Sequence, residues 1–306
     1  MKDYQELILH TVQTDPRFIV MTAENRALVR ELPKLIGKRF IDTGITEQTM
    51  IGMAAGLALQ GRIPICHALT SFLTMRAFEF IRTDIGIPNL RVKLSGFIPG
   101  VLSDANGPTH QAIEDISIMR GIPGMHVFAP GDANDMLKML PTIWASEHPS
   151  YVRVLTQSST YDHETFVYGK AETLSIGTDA NIFTYGFLFN ESFKAWQMLN
   201  DMGISTGLIN MRSLKPVDEE VIVKLAKQNS PMFVVEDHFK TGGLYSIVAE
   251  VLLKHQLTAE VHSISFNEKW FKPGLLNDVL ELEKMNAASL KKTIITTLSK
   301  STANAN

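Results

Sequence analysis

Residues 40–60 read Phe40-Ile41-Asp42-Thr43-Gly44-Ile45-Thr46-Glu47-Gln48-Thr49-Met50-Ile51-Gly52-Met53-Ala54-Ala55-Gly56-Leu57-Ala58-Leu59-Gln60. An apolar start ending in Asp42, a Thr-Gly turn and a long apolar run predict a short strand, a turn and a helix over 47–60. Glu47 stands at the start of that helix, among residues too apolar to solvate a charge. A carboxylate in that position needs a buried partner with a proton to share. The plain alternative is a first-turn helix acid facing water, which the macrodipole also favours.

Outward from this block, apolar stretches of strand length alternate with segments of helical period. Strands are expected at 17–21, 63–68, 90–95, 125–129 and 150–155, and helices at 47–60, 72–84, 111–120 and 132–146. The stretch Thr156-Gln157-Ser158-Ser159-Thr160-Tyr161-Asp162-His163-Glu164 is polar, follows neither period and reads as a connection between domains. A second series follows, with strands at 181–185, 205–210, 232–236 and 260–265 and helices at 190–202, 218–228, 243–255 and 286–299. Alternation of this kind predicts an α/β chain of two doubly wound domains, 1–160 and 175–306.

Composition narrows the class of partner. The 306 residues are 45% hydrophobic and carry a net charge of −3, with the basic residues dispersed, so the electrostatic footprint of a nucleic-acid binder is missing. The apolar run Ile51 to Leu59 is too short to span a bilayer, and the first residues lack a signal-peptide pattern. A single cysteine, Cys66, rules out an intrachain disulfide and agrees with a cytoplasmic location; its surroundings, Ile63-Pro64-Ile65-Cys66-His67-Ala68, read as core.

The second landmark is Gly107-Pro108-Thr109-His110-Gln111, followed by Ala112-Ile113-Glu114-Asp115-Ile116. Gly and Pro set a tight turn before a helix, presenting Thr109 and His110 beyond the carboxyl end of a strand, where open α/β sheets bind ligands. Position distinguishes His110 among nine histidines. His10, His148, His163 and His255 lie in polar or helix-surface contexts, and His67 and His126 sit in or beside strands as structural residues.

The Asp42 to Gln60 block, Ser71-Phe72-Leu73, Gly107 to Gln111 and Gly124-Met125 to Pro130-Gly131-Asp132 occur in an order that resembles the C-terminal half of transketolase and of 1-deoxyxylulose-5-phosphate synthase. The resemblance runs over nearly the whole chain: an aminopyrimidine-binding domain, then a transketolase C-terminal domain. It implies thiamine diphosphate as cofactor. Glu47 resembles the family's activating glutamate at the pyrimidine N1', and His110 the histidine that binds the donor sugar's hydroxyl groups. Phe72, Met75 and Phe78 lie on one helical face, where family aromatics stack on the pyrimidine and where core packing is the competing role. The C-terminal domain, including Glu236-Asp237-His238 and Gly242-Gly243-Leu244, is expected at subunit interfaces.

The family's diphosphate-and-metal motif, a Gly-Asp-Gly start with a later Asn, is not found; Gly131-Asp132-Ala133 lacks the second Gly and falls in the wrong domain. The resemblance therefore implies an N-terminal partner subunit holding the diphosphate with Mg2+ or Ca2+, in an α2β2 assembly. Two departures bear on the substrate, expected to be a small anionic sugar. Asn106, in Ala105-Asn106-Gly107, replaces the family's acid that reads an acceptor hydroxyl, and Thr156 stands where an arginine grips sugar phosphate. Arg76 resembles a phosphate-binding arginine of the synthases and is the substitute within this chain; otherwise the partner holds the anion, or the anion is another group, such as the sulfonate of a sulfosugar. Transfer of a two-carbon ketol unit is the activity implied. The rivals are the β subunit of a 2-oxo acid dehydrogenase, a deoxyxylulose-phosphate-synthase-like enzyme and a non-catalytic paralogue.

Overall fold

The computed structural model describes residues 2–23, 27–103, 106–266 and 269–305, so Ala105 lies outside the described residues. Six parallel strands build the first sheet: β1 (Phe18–Thr22), β2 (Phe40–Asp42), β3 (Ile63–Leu69), β4 (Lys93–Phe97), β5 (His126–Phe128) and β6 (Ser150–Val154). The second sheet contains β7 (Glu172–Ser175), β8 (Ala180–Thr184), β9 (Thr206–Asn210), β11 (Met232–Phe239) and β12 (Val261–Phe266). The intervening β10 (Ser213–Lys215) leaves its own domain and pairs antiparallel with β5. The strand orders are β10-β5-β6-β4-β3-β1-β2 and β12-β11-β8-β9-β7. Only β10 and β7 run antiparallel to their neighbours among the described pairs.

The central strands are buried along nearly their whole length rather than on alternate residues, the pattern of sheets covered on both faces, and they carry polar residues such as Lys93, Ser95, Arg153 and Asn181 into that interior. The first six residues of β3 and all five of β8 are buried. Cys66 sits within this core, as its flanks predict, and burial pushes its thiol above the ordinary range. His67, the next residue of β3, shares one hydrogen bond with the Tyr4 hydroxyl at 2.8 Å; burial pulls its imidazole down to about 4, so it serves the core as a neutral ring. His126 likewise packs internally, stacked on His148 at 4.1 Å.

After β2 forms on one side of β1, the chain crosses back to lay β3 on the other side. The carboxyl ends of β2, β3 and β4 thus release the three segments bearing Glu47, Phe72 and His110 at one end of the sheet, where the direction of winding reverses.

The domains meet through buried charge. Arg153 on β6 donates to both carboxylate oxygens of Asp115, at 2.8 and 2.5 Å, and to Asp237 of β11 at 2.6 Å; all three side chains are fully buried. Tyr151 donates to Asp115 at 2.5 Å. Burial raises the Asp115 carboxyl, but the Arg153 charge outweighs it and the net displacement is downward; in Asp237 burial dominates and the pKa rises to about 6. The Glu236-Asp237-His238 run expected at subunit interfaces is therefore buried within the chain itself: Asp237 and His238 meet Arg153 and Ser117 of the first domain, and Glu236 holds Tyr185 and the Leu244 and Tyr245 N–H groups inside the second.

Candidate functional site

The turn that delivers Glu47 is made by short-range hydrogen bonds. Asp42 Oδ1 accepts from the Gly44 N–H at 2.9 Å, the Thr43 N–H reaches back to Thr22 of β1 at 3.0 Å, and Gly44 sits at φ +71°, a conformation that favours glycine. Thr46 donates its hydroxyl to the Thr43 carbonyl at 2.8 Å, and the helix starts at the next residue. Glu47 accordingly occupies the first turn of Glu47–Leu59 with only 2% of its surface exposed. Its Oε2 accepts from Arg76 Nη1 at 2.8 Å.

The segment after β3, expected as one helix over 72–84, is wider in pitch. Phe72–Arg76 and Ile81–Gly86 are π-helical and flank the short turn Phe78–Phe80. Each π turn fits an additional residue into the helix, a local expansion that tends to occur at functional sites. Thr70 and Thr74 anchor the start: Thr70 donates to the Phe97 carbonyl of β4 at 2.9 Å, and Thr74 to the Thr70 carbonyl at 2.8 Å. In this frame the Arg76 guanidinium lies over the Phe72 ring, 4.1 Å from its centroid. Phe78 packs its half-buried ring against the apolar core of the first domain, and Met75 is half-buried one residue before Arg76.

His110 arrives from β4. The helix expected at 111–120 starts only at Asp115, because Ala112 forms an antiparallel bridge with Gly100, with both N–H to O distances at 2.9 Å. Residues 107–110 are left as a tight turn in which the His110 and Gln111 N–H groups both point to the Gly107 carbonyl. Gly107 has φ +72° and packs against Pro273 from the second domain, so the turn is pressed from outside. The His110 ring meets Phe72 edge-on at 4.9 Å and 66°, and its Nδ1 shares a hydrogen bond of 2.9 Å with the Thr109 hydroxyl. Asn106 is exposed and donates from Nδ2 to Ser103 within its own loop.

Glu47, Arg76, Phe72 and His110 thus form one connected row: carboxylate to guanidinium, guanidinium to aromatic face, aromatic edge to imidazole. Met75, Phe78 and Asn106 make no hydrogen bond or ring contact with that row among the described residues. Gln111, to which the sequence pattern assigned no role, is buried beside His110 with neither side-chain amide atom hydrogen-bonded among the described residues. A buried acceptor beside an aromatic face suits a flat heteroaromatic ring bearing a protonatable nitrogen, and the residues present therefore fit an aminopyrimidine.

A second buried ionic group lies elsewhere. His163, which its sequence context places in a polar loop, is 2% exposed and bridges Asp132 at 2.9 Å and Glu172 at 2.6 Å. Burial pulls its imidazole down, but the two carboxylates outweigh that effect and raise its pKa to about 9. Asp135, His163 and Glu172 converge as metal ligands would, yet Arg212 donates to Asp135 at 2.8 Å, so the protein supplies its own cation there. This group ties β7 and the loop before Ala133–Ala145 together.

Known proteins share this arrangement of domains. Residues 2–160 match the pyrimidine-binding domain of transketolase and residues 169–290 its C-terminal domain. The chain is 35% identical over 254 residues to the 6-deoxy-6-sulfo-D-fructose transketolase subunit SqwH of Clostridium sp. (strain MSTE9), covering 81% of this chain and 79% of that protein. It is 32% identical over 269 residues to an apulose-4-phosphate transketolase subunit of Phocaeicola vulgatus, covering 86% of each. A 1-deoxy-D-xylulose-5-phosphate synthase of Caldanaerobacter subterraneus is 30% identical, with 92% of this chain matching only 46% of that protein. Among solved structures, a split-gene transketolase described as an inactive beta4 tetramer superposes with a TM-score of 0.85 at 30% identity over 97% of both chains. The chain therefore belongs to the transketolase family, in which it joins the pyrimidine-binding domain to the C-terminal domain.

Proposed function

We propose that this chain is one subunit of a thiamine-diphosphate-dependent transketolase, moving a two-carbon ketol unit from an anionic ketose to an aldose together with an N-terminal partner subunit. The observation that carries the reading is the convergence of Glu47, Phe72 and His110 at the carboxyl ends of β2, β3 and β4. Bound thiamine diphosphate would supply the carbanion chemistry that amino-acid side chains lack. Glu47 would hold a proton at the pyrimidine N1', Phe72 would offer its face to the ring, and His110 would orient the donor's hydroxyl groups and move a proton there. Gln111 would complete its hydrogen bonding against the bound ligands. Met75 and Phe78 stay as neighbours of the ring and Asn106 as a reader of the acceptor.

The partner reading is supported by the relatives named as subunits and by surface chemistry. Ile45, Met53 and Leu59, on or beside the Glu47 helix, are exposed, as are Phe80 and Ile87 on the segment packed against it. Large apolar side chains grouped around a site suit a protein interface rather than water. The partner would hold the diphosphate with Mg2+ or Ca2+, giving α2β2, in the cytoplasm; among the described residues no helix is long and apolar enough to cross a membrane. We place the domain division at 1–160 and 175–306. A sulfonated ketose is the preferred donor class, in keeping with the activity named for the Clostridium relative and with Thr156 in place of an arginine.

The test is turnover with thiamine diphosphate and Mg2+, alone and with the candidate partner, over sulfonated and phosphorylated ketoses. Activity only in the mixture, lost in Glu47→Ala, is the expected result. Decarboxylation of 2-oxo acids without ketol transfer would replace the reading with a dehydrogenase or synthase.

A further inference from the structure

Arg76 has a geometry that no part of the transfer reaction requires. Its guanidinium is flat, stacks over the Phe72 ring with 4.1 Å between guanidinium carbon and centroid, and donates an N–H to Glu47 Oε2 at 2.8 Å. An aminopyrimidine held by the same two residues would be a flat ring over Phe72 that, when it carries the shared proton on N1', directs an N–H at Glu47. The two groups match in shape, in hydrogen-bond polarity and in the pair of residues they engage, so they compete for the same place.

We propose that Arg76 is a built-in stand-in for the cofactor ring: it fills the pyrimidine seat while the chain is cofactor-free and must swing out for the ring to enter. The proposal rests on the thiamine diphosphate reading above and adds a regulatory step to it. Three features favour it. Glu47 is 2% exposed and without Arg76 would be a buried carboxylate with no counter-charge, a costly state for a chain awaiting partner and cofactor. Arg76 keeps 39% of its side chain exposed, so a route to solvent exists for a displaced guanidinium. Its seat is in a π turn, where the backbone is already expanded. Once released, the same guanidinium is free to meet an anionic sugar.

Calorimetric titration of thiamine diphosphate with Mg2+ into the assembled enzyme, without any sugar, distinguishes displacement from support. Wild type, Arg76→Met and Arg76→Lys are compared, with stopped-flow measurement of the association rate. A stand-in predicts that Arg76→Met binds about tenfold tighter and associates faster, since a tenfold change needs only ~1.4 kcal/mol of displaced interaction. Arg76→Lys should fall between, because its ammonium reaches Glu47 but offers no flat face to Phe72. Binding by Arg76→Met that is unchanged or weaker than wild type would overturn the proposal and leave the cofactor reading intact. Failure of all three proteins to bind would overturn the cofactor reading and the stand-in with it.

Discussion

Replacing His163 by Gln removes a positive charge from between two buried carboxylates, and the cost should depend on pH with a defined sign. The ring nitrogens lie 2.9 Å from Asp132 and 2.6 Å from Glu172, with all three side chains essentially buried. The folded protein holds the His163 proton to about pH 9, against 6.5 for the unfolded chain. Folded-state affinity for the proton is thus the greater, so the stabilisation is fully present below 6.5 and is lost as pH rises through about 9. The displacement corresponds to ~3 kcal/mol of folding free energy at the acidic end of that window. Lys93 works in the opposite sense: burial lowers its pKa to about 7, so its contribution grows as pH rises. The informative quantity is therefore the difference between wild type and His163→Gln in urea unfolding at pH 6, 7.5 and 9. That difference should shrink by ~3 kcal/mol from pH 6 to 9 with no change in the slope against urea. A pH-independent difference would refute the assignment of a charged histidine.

Arg153→Met leaves Asp115 and Asp237 facing each other without a counter-charge, and should cost about 3–5 kcal/mol, the scale expected for breaking a buried pair. Thermal melts should show a larger loss at pH 8 than at pH 5.5, where protonation of Asp237 relieves the repulsion. Gly107→Ala forces φ +72° on a residue with a Cβ that would sit 2.9 Å from Pro273, costing roughly 1–2 kcal/mol in backbone strain alone; because His110 is on the same turn, KM for the donor should rise as well, measured by steady-state kinetics with the partner present. Met53→Glu puts a charge on the exposed apolar face of the Glu47 helix. Stability should move by less than about 0.5 kcal/mol, while association with the partner subunit is lost in sedimentation velocity.

The strand-turn-helix unit at 40–60 and the Gly-Pro-Thr-His turn are legible in the sequence because each is a local pattern: apolar period, turn residues and a polar group out of place. Other features are hidden for definite reasons. Arg76 and Glu47 belong to different elements 29 residues apart, and only the crossover that places β2 and β3 on opposite sides of β1 brings them together. His163 is surrounded in sequence by Tyr161, Asp162 and Glu164, which suggest a solvated loop, while the partners that bury it, Asp132 and Glu172, lie outside that run. Ser213-Leu214-Lys215 is too short to display a period of two, and its pairing with β5 crosses the domain boundary. The helix Lys2–Thr14 is absent from the sequence expectations although Tyr4, Ile8 and Val12 recur every fourth residue and are buried. The π turns carry no sequence code of their own, since they register as helix by period.

The strand that β10 lends to the first domain, together with the Arg153–Asp237 bridge, has a consequence for how the molecule can move. Rotating one domain against the other would tear ladder hydrogen bonds from the edge of a sheet and strand buried charges, so a hinge between them is closed off. The chain is a single rigid jaw. Admission and release of reactants must then be controlled by loop and side-chain motions at the mouth of the site, or by the fit between this jaw and whatever surface closes over its exposed apolar face.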